Sequence, residues 1–240
     1  MLICHISDCH GQLIDLPGEF DVVVCSGDFF AYNKSESFGK RGIELEPNRT
    51  AAKRKAEIEF QKIWLLTNIK AIKEWIKGKP FIWSSGNHDF LNPCQILNDN
   101  GIEAIDLDNK VVEYKGFVWY GFPYVPKIRN CWNFECTPDE LRKEVNTFLR
   151  RLKDAKMFDR LDILVAHCPP DGILDTYDAK KEQHIGNPFI NSTITYQLTN
   201  PLKLYLCGHA HPSNGVLSIG STTFSNAAIG HDGKPHILKI

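Results

Sequence analysis

The sequence predicts an α/β fold formed by a single domain over residues 1–240. Its 240 residues, 42% of them hydrophobic, are enough to bury one large core. Short apolar runs bounded by Gly, Pro or polar clusters alternate with longer segments of helical periodicity. This alternation is typical of βαβ units. The net charge of −1 disfavours binding of long nucleic acid unless a local basic patch provides it.

The first half of the chain alternates strands and helix. Leu2–Ile6, Val22–Cys25 and residues 81–84 are predicted as buried strands because they are short, apolar and bounded by breakers. A charged stretch at about 32–48 is interpreted as an insertion. The apolar periodicity that follows predicts a core-packing helix over about 50–77.

The second half adds a hairpin, a capped helix and further strands. Lys115-Gly116 separates Val111–Tyr114 from Phe117–Phe122 and predicts an antiparallel hairpin. Thr137, Pro138 and Glu140 form a helix start signal, with the helix reaching about residue 156. Further strands are predicted, the last three as a terminal antiparallel set: 163–166, Leu204–Cys207, 216–219, 222–225 and 236–240.

The cysteines indicate a reducing environment. The eight cysteines are scattered and form no CxxC pair, so they do not suggest a disulfide framework. The N-terminus lacks a basic segment followed by an apolar one, and no run approaches the roughly 20 apolar residues that a membrane span needs. We expect a cytoplasmic protein that does not enter membranes.

Five polar clusters follow apolar runs and carry the functional signal. They supply carboxylate, amide and imidazole donors, which bind several divalent metals. In an extended backbone, Asp8 and His10 would point to the same side of the chain. The carboxylate of Asp28 has two oxygens and can bridge two ions. The clusters are Asp8-Cys9-His10, Gly27-Asp28, Gly86-Asn87-His88-Asp89, Ala166-His167 and Gly208-His209-Ala210-His211.

The order of these clusters resembles the calcineurin-like metallophosphoesterases. All five blocks are present, from Asp8 to His211. The resemblance implies a four-layer α/β/β/α sandwich with a two-metal site at the strand ends. It also implies two divalent cations, with Mn²⁺ expected first and Fe, Zn²⁺ or mixed occupancy left open. By this resemblance one metal is held by Asp8, His10, Asp28 and His211, and the second by Asp28, Asn87, His167 and His209.

The resemblance assigns His88 a role beside the substrate phosphate rather than on a metal. An imidazole can stabilise transition-state charge or protonate a leaving group, because its ordinary pKa lies near 6.5. Asp89 is then expected to accept a hydrogen bond from the other ring nitrogen of His88 and fix its tautomer. The implied reaction is attack of a metal-bridging hydroxide on phosphorus.

The sequence departs from the Ser/Thr protein phosphatases of this superfamily, which carry G-D-x-V-D-R-G and G-N-H-E. Here Phe29 and Phe30 follow Asp28, and Asp89 ends the third block. The likeness is therefore to compact phosphodiesterases and phosphatases. The expected substrate is a phosphodiester or small phosphomonoester, such as a nucleotide. A nuclease or nucleic-acid end-processing enzyme and a non-catalytic metal-binding scaffold remain alternatives, and the oligomeric state is undetermined.

Loops between the motifs are expected to select the substrate. Lys127 and Arg129 can attract a phosphate-rich ligand, although exposed charges are usually a solvated face. Trp132 can stack on a base or close a minor core.

Overall fold

The computed structural model describes residues 1–33, 47–129, 131–178, 183–196, 198, 200–230 and 233–240. The charged insertion predicted at about 32–48 lies outside these residues except at its ends.

One sheet carries the first motif clusters at its strand ends. Its five strands are β1 (Leu2–Ile6), β2 (Val22–Cys25), β3 (Phe81–Trp83), β4 (Ala104–Asp106) and β15 (His236–Lys239). The order is β15-β1-β2-β3-β4, with β1 to β4 parallel and β15 antiparallel to β1. The carboxyl ends of β1, β2 and β3 therefore meet at one edge. This edge is followed by Asp8, Asp28 and Asn87.

A second sheet carries the remaining clusters. Its six strands are β5 (Val111–Tyr114), β6 (Phe117–Phe122), β9 (Leu161–Ala166), β12 (Leu204–Cys207), β13 (Gly215–Ile219) and β14 (Thr222–Asn226). Their order is β13-β14-β12-β9-β6-β5, and β6, β9, β12 and β14 are parallel. The predicted hairpin is confirmed, since β5 and β6 are antiparallel and Lys115 and Gly116 have φ values of 50° and 80°.

The predicted terminal antiparallel set is wrong in its pairing. β13 and β14 are antiparallel, but β14 also pairs in parallel with β12. β15 joins the other sheet beside β1. Periodicity along one segment cannot reveal this, because strand partners are chosen by packing between distant parts of the chain.

Two small ribbons lie outside the main sheets. One pairs β7 (Val125–Pro126) with β8 (Glu135–Cys136), and the other pairs β10 (Thr176–Asp178) with β11 (Gln183–His184). Neither was predicted, since each strand has only two or three residues. They matter because residues of both line the cavity described below.

The helices are α1 (Pro47–Trp75), α2 (Cys94–Asp99), α3 (Pro138–Asp154) and α4 (Pro188–Tyr196). The helix start signal at Thr137 is confirmed, because its side chain accepts from the Glu140 backbone and the Glu140 side chain returns to the Thr137 backbone. Among the described residues, no helix is both long and apolar enough to cross a membrane.

Three buried clusters explain how the elements pack. The first combines residues of β1 to β3 with Leu65 and Ile72 of α1. The second combines β6, β9 and β12 with the apolar face of α3, including Val145 and Phe148. The third contains residues of both sheets, such as Val24 and Val165, and few from helices. The mixed α/β class is confirmed, and the four-layer α/β/β/α order stays a prediction. That the chain forms one domain stays a prediction.

Candidate metal centre

The motif residues lie just beyond the strand ends, where the backbone turns sharply. Asp8, His10, Asp28 and His209 have φ values of 54°, 44°, 54° and 65°. Such left-handed values are unfavourable for residues with a Cβ and are concentrated at functional sites. The backbone at Asp8 and His10 is therefore not extended, and the alternation of side chains along a strand does not apply to this segment. The two side chains nevertheless approach one another, because the turned backbone brings them to the same point.

The glycines of the motifs are required by close approach. A Cβ at Gly86 would lie 2.2 Å from Oδ1 of Asp28. A Cβ at Gly208 would lie 2.1 Å from Oδ2 of Asp8 and 1.9 Å from Oγ of Ser7. A Cβ at Gly27 would lie 2.6 Å from Nδ1 of His167. Only glycine therefore lets strand ends of both sheets come so close to the acidic side chains.

One group of possible ligands consists of Asp8, His10 and His211, whose ligand atoms lie within 4.8 Å of one another. Asp8 is buried, with 1% of its surface exposed. Its Oδ1 is 2.9 Å from Nε2 of His211, and its Oδ2 accepts a 2.8 Å hydrogen bond from the backbone N–H of His209. The loop after β12 is thus fixed against the loop after β1.

A second group consists of Asp8, Asp28 and His167, again within 4.8 Å. Oδ2 of Asp28 is 3.5 Å from Nε2 of His167 and 3.9 Å from Nε2 of His10. Nε2 of His167 is also 3.0 Å from Oδ1 of Asn87. Asp28 therefore lies between the two predicted ligand sets, as a bridging carboxylate would.

Within the part of the chain that the structure describes, two buried imidazole nitrogens at this point have no hydrogen-bond partner. They are Nδ1 of His10 and Nε2 of His209. Buried polar atoms are rarely left unpaired, because each costs about 1–3 kcal/mol. His209 is 8% exposed, and its ring lies 5.0 Å from that of His167, centroid to centroid. The carboxylates, the amide and these unpaired nitrogens fit divalent cations by donor chemistry.

The electrostatics of the cluster favour positive charge. Burial lowers the pKa of His167, but the charge of Asp28 and the hydrogen bond to it raise this pKa to about 10 overall. Burial also opposes ionisation of Asp8, yet the hydrogen bond from His211 and the nearby His167 hold its pKa well below the usual range. Burial lowers the pKa of His209 to about 3 and that of His88 to about 4. Two buried carboxylates thus create a negative electrostatic potential that a bound metal cation would also neutralise.

The interpretation of Asp89 as the partner of the His88 ring was wrong. Oδ2 of Asp89 accepts hydrogen bonds of 2.7 Å from the backbone N–H groups of Asp28 and Gly86, and Oδ1 accepts one of 3.0 Å from Phe29. Both oxygens are therefore used to hold the loop after β2 against the loop after β3. Asp89 follows His88 in the sequence, which suggested a contact with the His88 ring. In the structure its carboxylate instead accepts from buried backbone N–H groups, which must find an acceptor.

The His88 ring is positioned by other groups. Its centroid lies 3.9 Å from that of Trp132 and 5.2 Å from that of Tyr32. Nε2 of His88 is 3.9 Å from Oδ2 of Asp28. The ring therefore lies beside the proposed bridging carboxylate, with 20% of its side chain exposed.

Gln61 of α1 was missed by sequence reasoning. This residue is 1% exposed. Its Oε1 accepts from the backbone N–H groups of Phe90 and Leu91 at 2.8 and 3.0 Å, and its Nε2 donates to the carbonyl of His88 at 2.7 Å. From sequence alone, a buried polar residue in an amphipathic helix cannot be distinguished from the polar residues of the exposed face.

An open cavity of about 1370 Å³ lies over the cluster. Seven of the eight predicted ligand and phosphate-site side chains line it directly; the eighth, His167, is fully buried. Its other lining residues include Lys127, Arg129, Trp132, Tyr177 and His184.

Comparisons with known proteins agree with this geometry. Residues 1–213 match the family described as Calcineurin-like phosphoesterase. The chain is 25% identical over 199 residues to metallophosphoesterase domain-containing protein 1 of Homo sapiens, and equally to the Mus musculus protein of that name, covering 71% of this chain. It spans 57% of the length of these relatives. A solved crystal structure with 17% identity superposes with a TM-score of 0.67 over 99% of this chain and 98% of its own, a likeness of fold.

Proposed function

The chain belongs to the calcineurin-like phosphoesterase family, a family of metal-dependent phosphoester hydrolases, and from this premise we propose that it hydrolyses a phosphodiester or a small phosphomonoester. The observation that carries the proposal is the convergence of Asp8, Asp28 and four histidines at the base of the cavity. Among the described residues, two of the buried imidazole nitrogens there are unpaired. A structural cluster would satisfy those nitrogens internally.

The proposed ligands divide into two sets that share Asp28. Asp8, His10 and His211 would complete one set, and Asn87, His167 and His209 the other. Two divalent cations bound there would supply a hydroxide nucleophile at neutral pH and neutralise charge on the phosphoryl group. Carboxylate, amide and imidazole donors accept Mn²⁺, Fe and Zn²⁺, and we propose Mn²⁺ as the first ion to test.

His88 is proposed to contact the substrate. Its ring lies beside Asp28 and is partly exposed to the cavity, so a ring N–H can donate to a phosphoryl oxygen or to the leaving oxygen. Contact with the Trp132 ring, at an interplanar angle of 40°, restricts the orientation of the His88 ring. Asp89 supports the site indirectly, since it holds the backbone N–H of Asp28.

The experiment compares metal content and kinetics in the same preparations. We expect the Mn²⁺-loaded protein to hydrolyse p-nitrophenyl mono- or diesters. Asp28→Asn should abolish turnover and reduce the occupancy of both metals, because it removes the proposed shared ligand. His88→Ala should keep both metals and slow hydrolysis about 100-fold or more, which is the usual contribution of a positioned acid or base.

Asp139→Asn is the matched control, because Asp139 is exposed in the first turn of α3. It should match the wild-type protein in metal content and rate. Full activity of Asp28→Asn would contradict the ligand assignment. Metal binding without hydrolysis of any phosphoester would favour a metal-binding scaffold, and salt-sensitive cleavage confined to nucleic acid would favour a nuclease.

A further inference from the structure

The cavity over the metal centre is larger than a phosphate group needs. Its volume of about 1370 Å³ exceeds the roughly 300–1000 Å³ typical of small-molecule sites. The side chains of Trp132 and Tyr177 line it as well, in addition to the proposed ligands. The substrate therefore has room for a substantial organic part beside the reacting phosphorus.

Arg129 lines this cavity and lies in a segment with a fixed backbone. The carboxylate of Glu135 accepts four backbone N–H groups: Oε1 takes those of Ile128 and Arg129 at 2.8 Å, and Oε2 takes those of Cys131 and Trp132 at 2.9 and 3.1 Å. A single half-buried carboxylate that accepts from four donors fixes the course of the loop. The base of the Arg129 side chain is therefore held in place.

The segment is also attached to α1. Nη2 of Arg54 donates to the carbonyl of Trp132 at 3.1 Å, and Nη1 donates to Oδ1 of Asn133 at 3.1 Å. Since Trp132 packs on the His88 ring, the loop that carries Arg129 is coupled to the reacting end of the cavity.

The side chain of Arg129 is available for an anion. It is half-buried, and it lines both the large cavity and a smaller one of about 130 Å³ beside His88. Among the residues that the structure describes, no carboxylate forms an ion pair with it. A guanidinium is charged at every physiological pH, and its planar fork matches carboxylate and phosphate groups.

We propose that Arg129 determines specificity by binding a second anionic group of the substrate, a carboxylate or a phosphate that does not react. The inference rests on the proposed function and adds the substrate class: an organic phosphoester with two anionic groups. The reacting phosphoryl group is accounted for at the metal centre by the cations and His88. Arg129 is not among the proposed ligands but lines the same cavity, and it would engage the other anionic group.

The test uses phosphodiesters that share a p-nitrophenyl leaving group and differ only in the other ester group, which is phenyl, 4-carboxyphenyl or 4-(phosphonomethyl)phenyl. We expect at least one anionic ester to have a KM about tenfold or more below that of the phenyl ester, because a hydrogen bond between charged groups contributes enough binding free energy for a ratio of this size. Arg129→Gln should remove that preference by raising the KM of the anionic ester, with kcat unchanged. Arg129→Lys should keep part of it, because the charge remains and the fork is lost.

Arg160→Gln serves as the control, because Arg160 is exposed and pairs with Glu113 on the surface. It should leave every KM unchanged. If the wild-type protein cleaves the three esters with equal KM, or if Arg129→Gln raises KM equally for all of them, the assignment of Arg129 is overturned while the phosphoesterase activity stands. If no ester of any kind is cleaved, the proposed function fails and this inference fails with it.

Discussion

Replacing Asp89 by Asn tests whether this residue holds the site loops together. The carboxylate accepts two backbone N–H groups on Oδ2 and one on Oδ1. Asn has one oxygen, so in its best orientation it keeps the bonds to Asp28 and Gly86. Its NH₂ group then faces the N–H of Phe29, which loses its acceptor in a buried position.

The magnitude follows from these three bonds. An unsatisfied buried donor costs about 1–3 kcal/mol, and the two remaining bonds lose their charge-assisted part. Burial and the neighbouring Asp28 raise the pKa of Asp89, so removal of the charge also relieves repulsion and offsets some of the loss. We expect a net decrease of about 1–3 kcal/mol in the free energy of unfolding. For a chain of this length that lowers Tm by about 2–4 °C for each kcal/mol.

The assay is urea unfolding of metal-stripped protein, followed by tryptophan fluorescence, with activity measured after Mn²⁺ loading. Asp99→Asn is the control, since Asp99 is exposed and its carboxylate accepts a hydrogen bond from the Gln95 side chain on the surface; it should change stability by no more than about 0.5 kcal/mol. If Asp89→Asn unfolds at the wild-type urea concentration but loses kcat, the reasoning is refuted, and a role in orienting His88 would have to be restored.

Two further predictions concern the same loops and the proposed ligands. Gln61→Leu should lower kcat about tenfold with both metals retained, because the carbonyl of His88 and the backbone N–H groups of Phe90 and Leu91 lose their buried partner. Metal analysis of the same preparations used for kinetics checks this. Loss of metal would contradict it. Metal binding at pH 7 should release protons, because the pKa of His167 is raised to about 10 and a ligand imidazole must be neutral. Because protons are released on binding, the apparent metal affinity should rise as the pH rises towards that value. Calorimetry in buffers of different ionisation enthalpy measures the number of protons released. Equal heats in all buffers would count against His167 as a ligand.

Local patterns were sufficient for much of the fold. The hairpin at Lys115 and the helix that begins after Thr137 depend on interactions within a few residues, and both are confirmed. The short ribbons β7–β8 and β10–β11 were missed, because such short strands carry no periodicity. The position of β15 in the first sheet was missed because it depends on a partner, β1, more than 230 residues away along the chain.

The candidate site, too, was predictable from the sequence in part. That Asp8, Asp28 and the histidines would converge was predictable, because parallel strands bring their carboxyl ends to one edge. Their roles as ligands stay predictions. The left-handed backbone at Asp8 and His10 was not predictable, since it is imposed by contacts between loops, such as the bond from the His209 backbone to Asp8.

The sequence by itself determined the family of this protein and the set of donors at its site, because metal chemistry requires particular side chains and the strands deliver them in a constant order. The tertiary structure decided what the other residues do. Asp89 accepts from backbone amides, Gln61 and Trp132 contact His88 and hold it in position, and Arg129 lines the cavity over the candidate metal centre. These roles depend on hydrogen bonds and packing between segments far apart in the chain, and such partners are chosen only when the whole core is assembled.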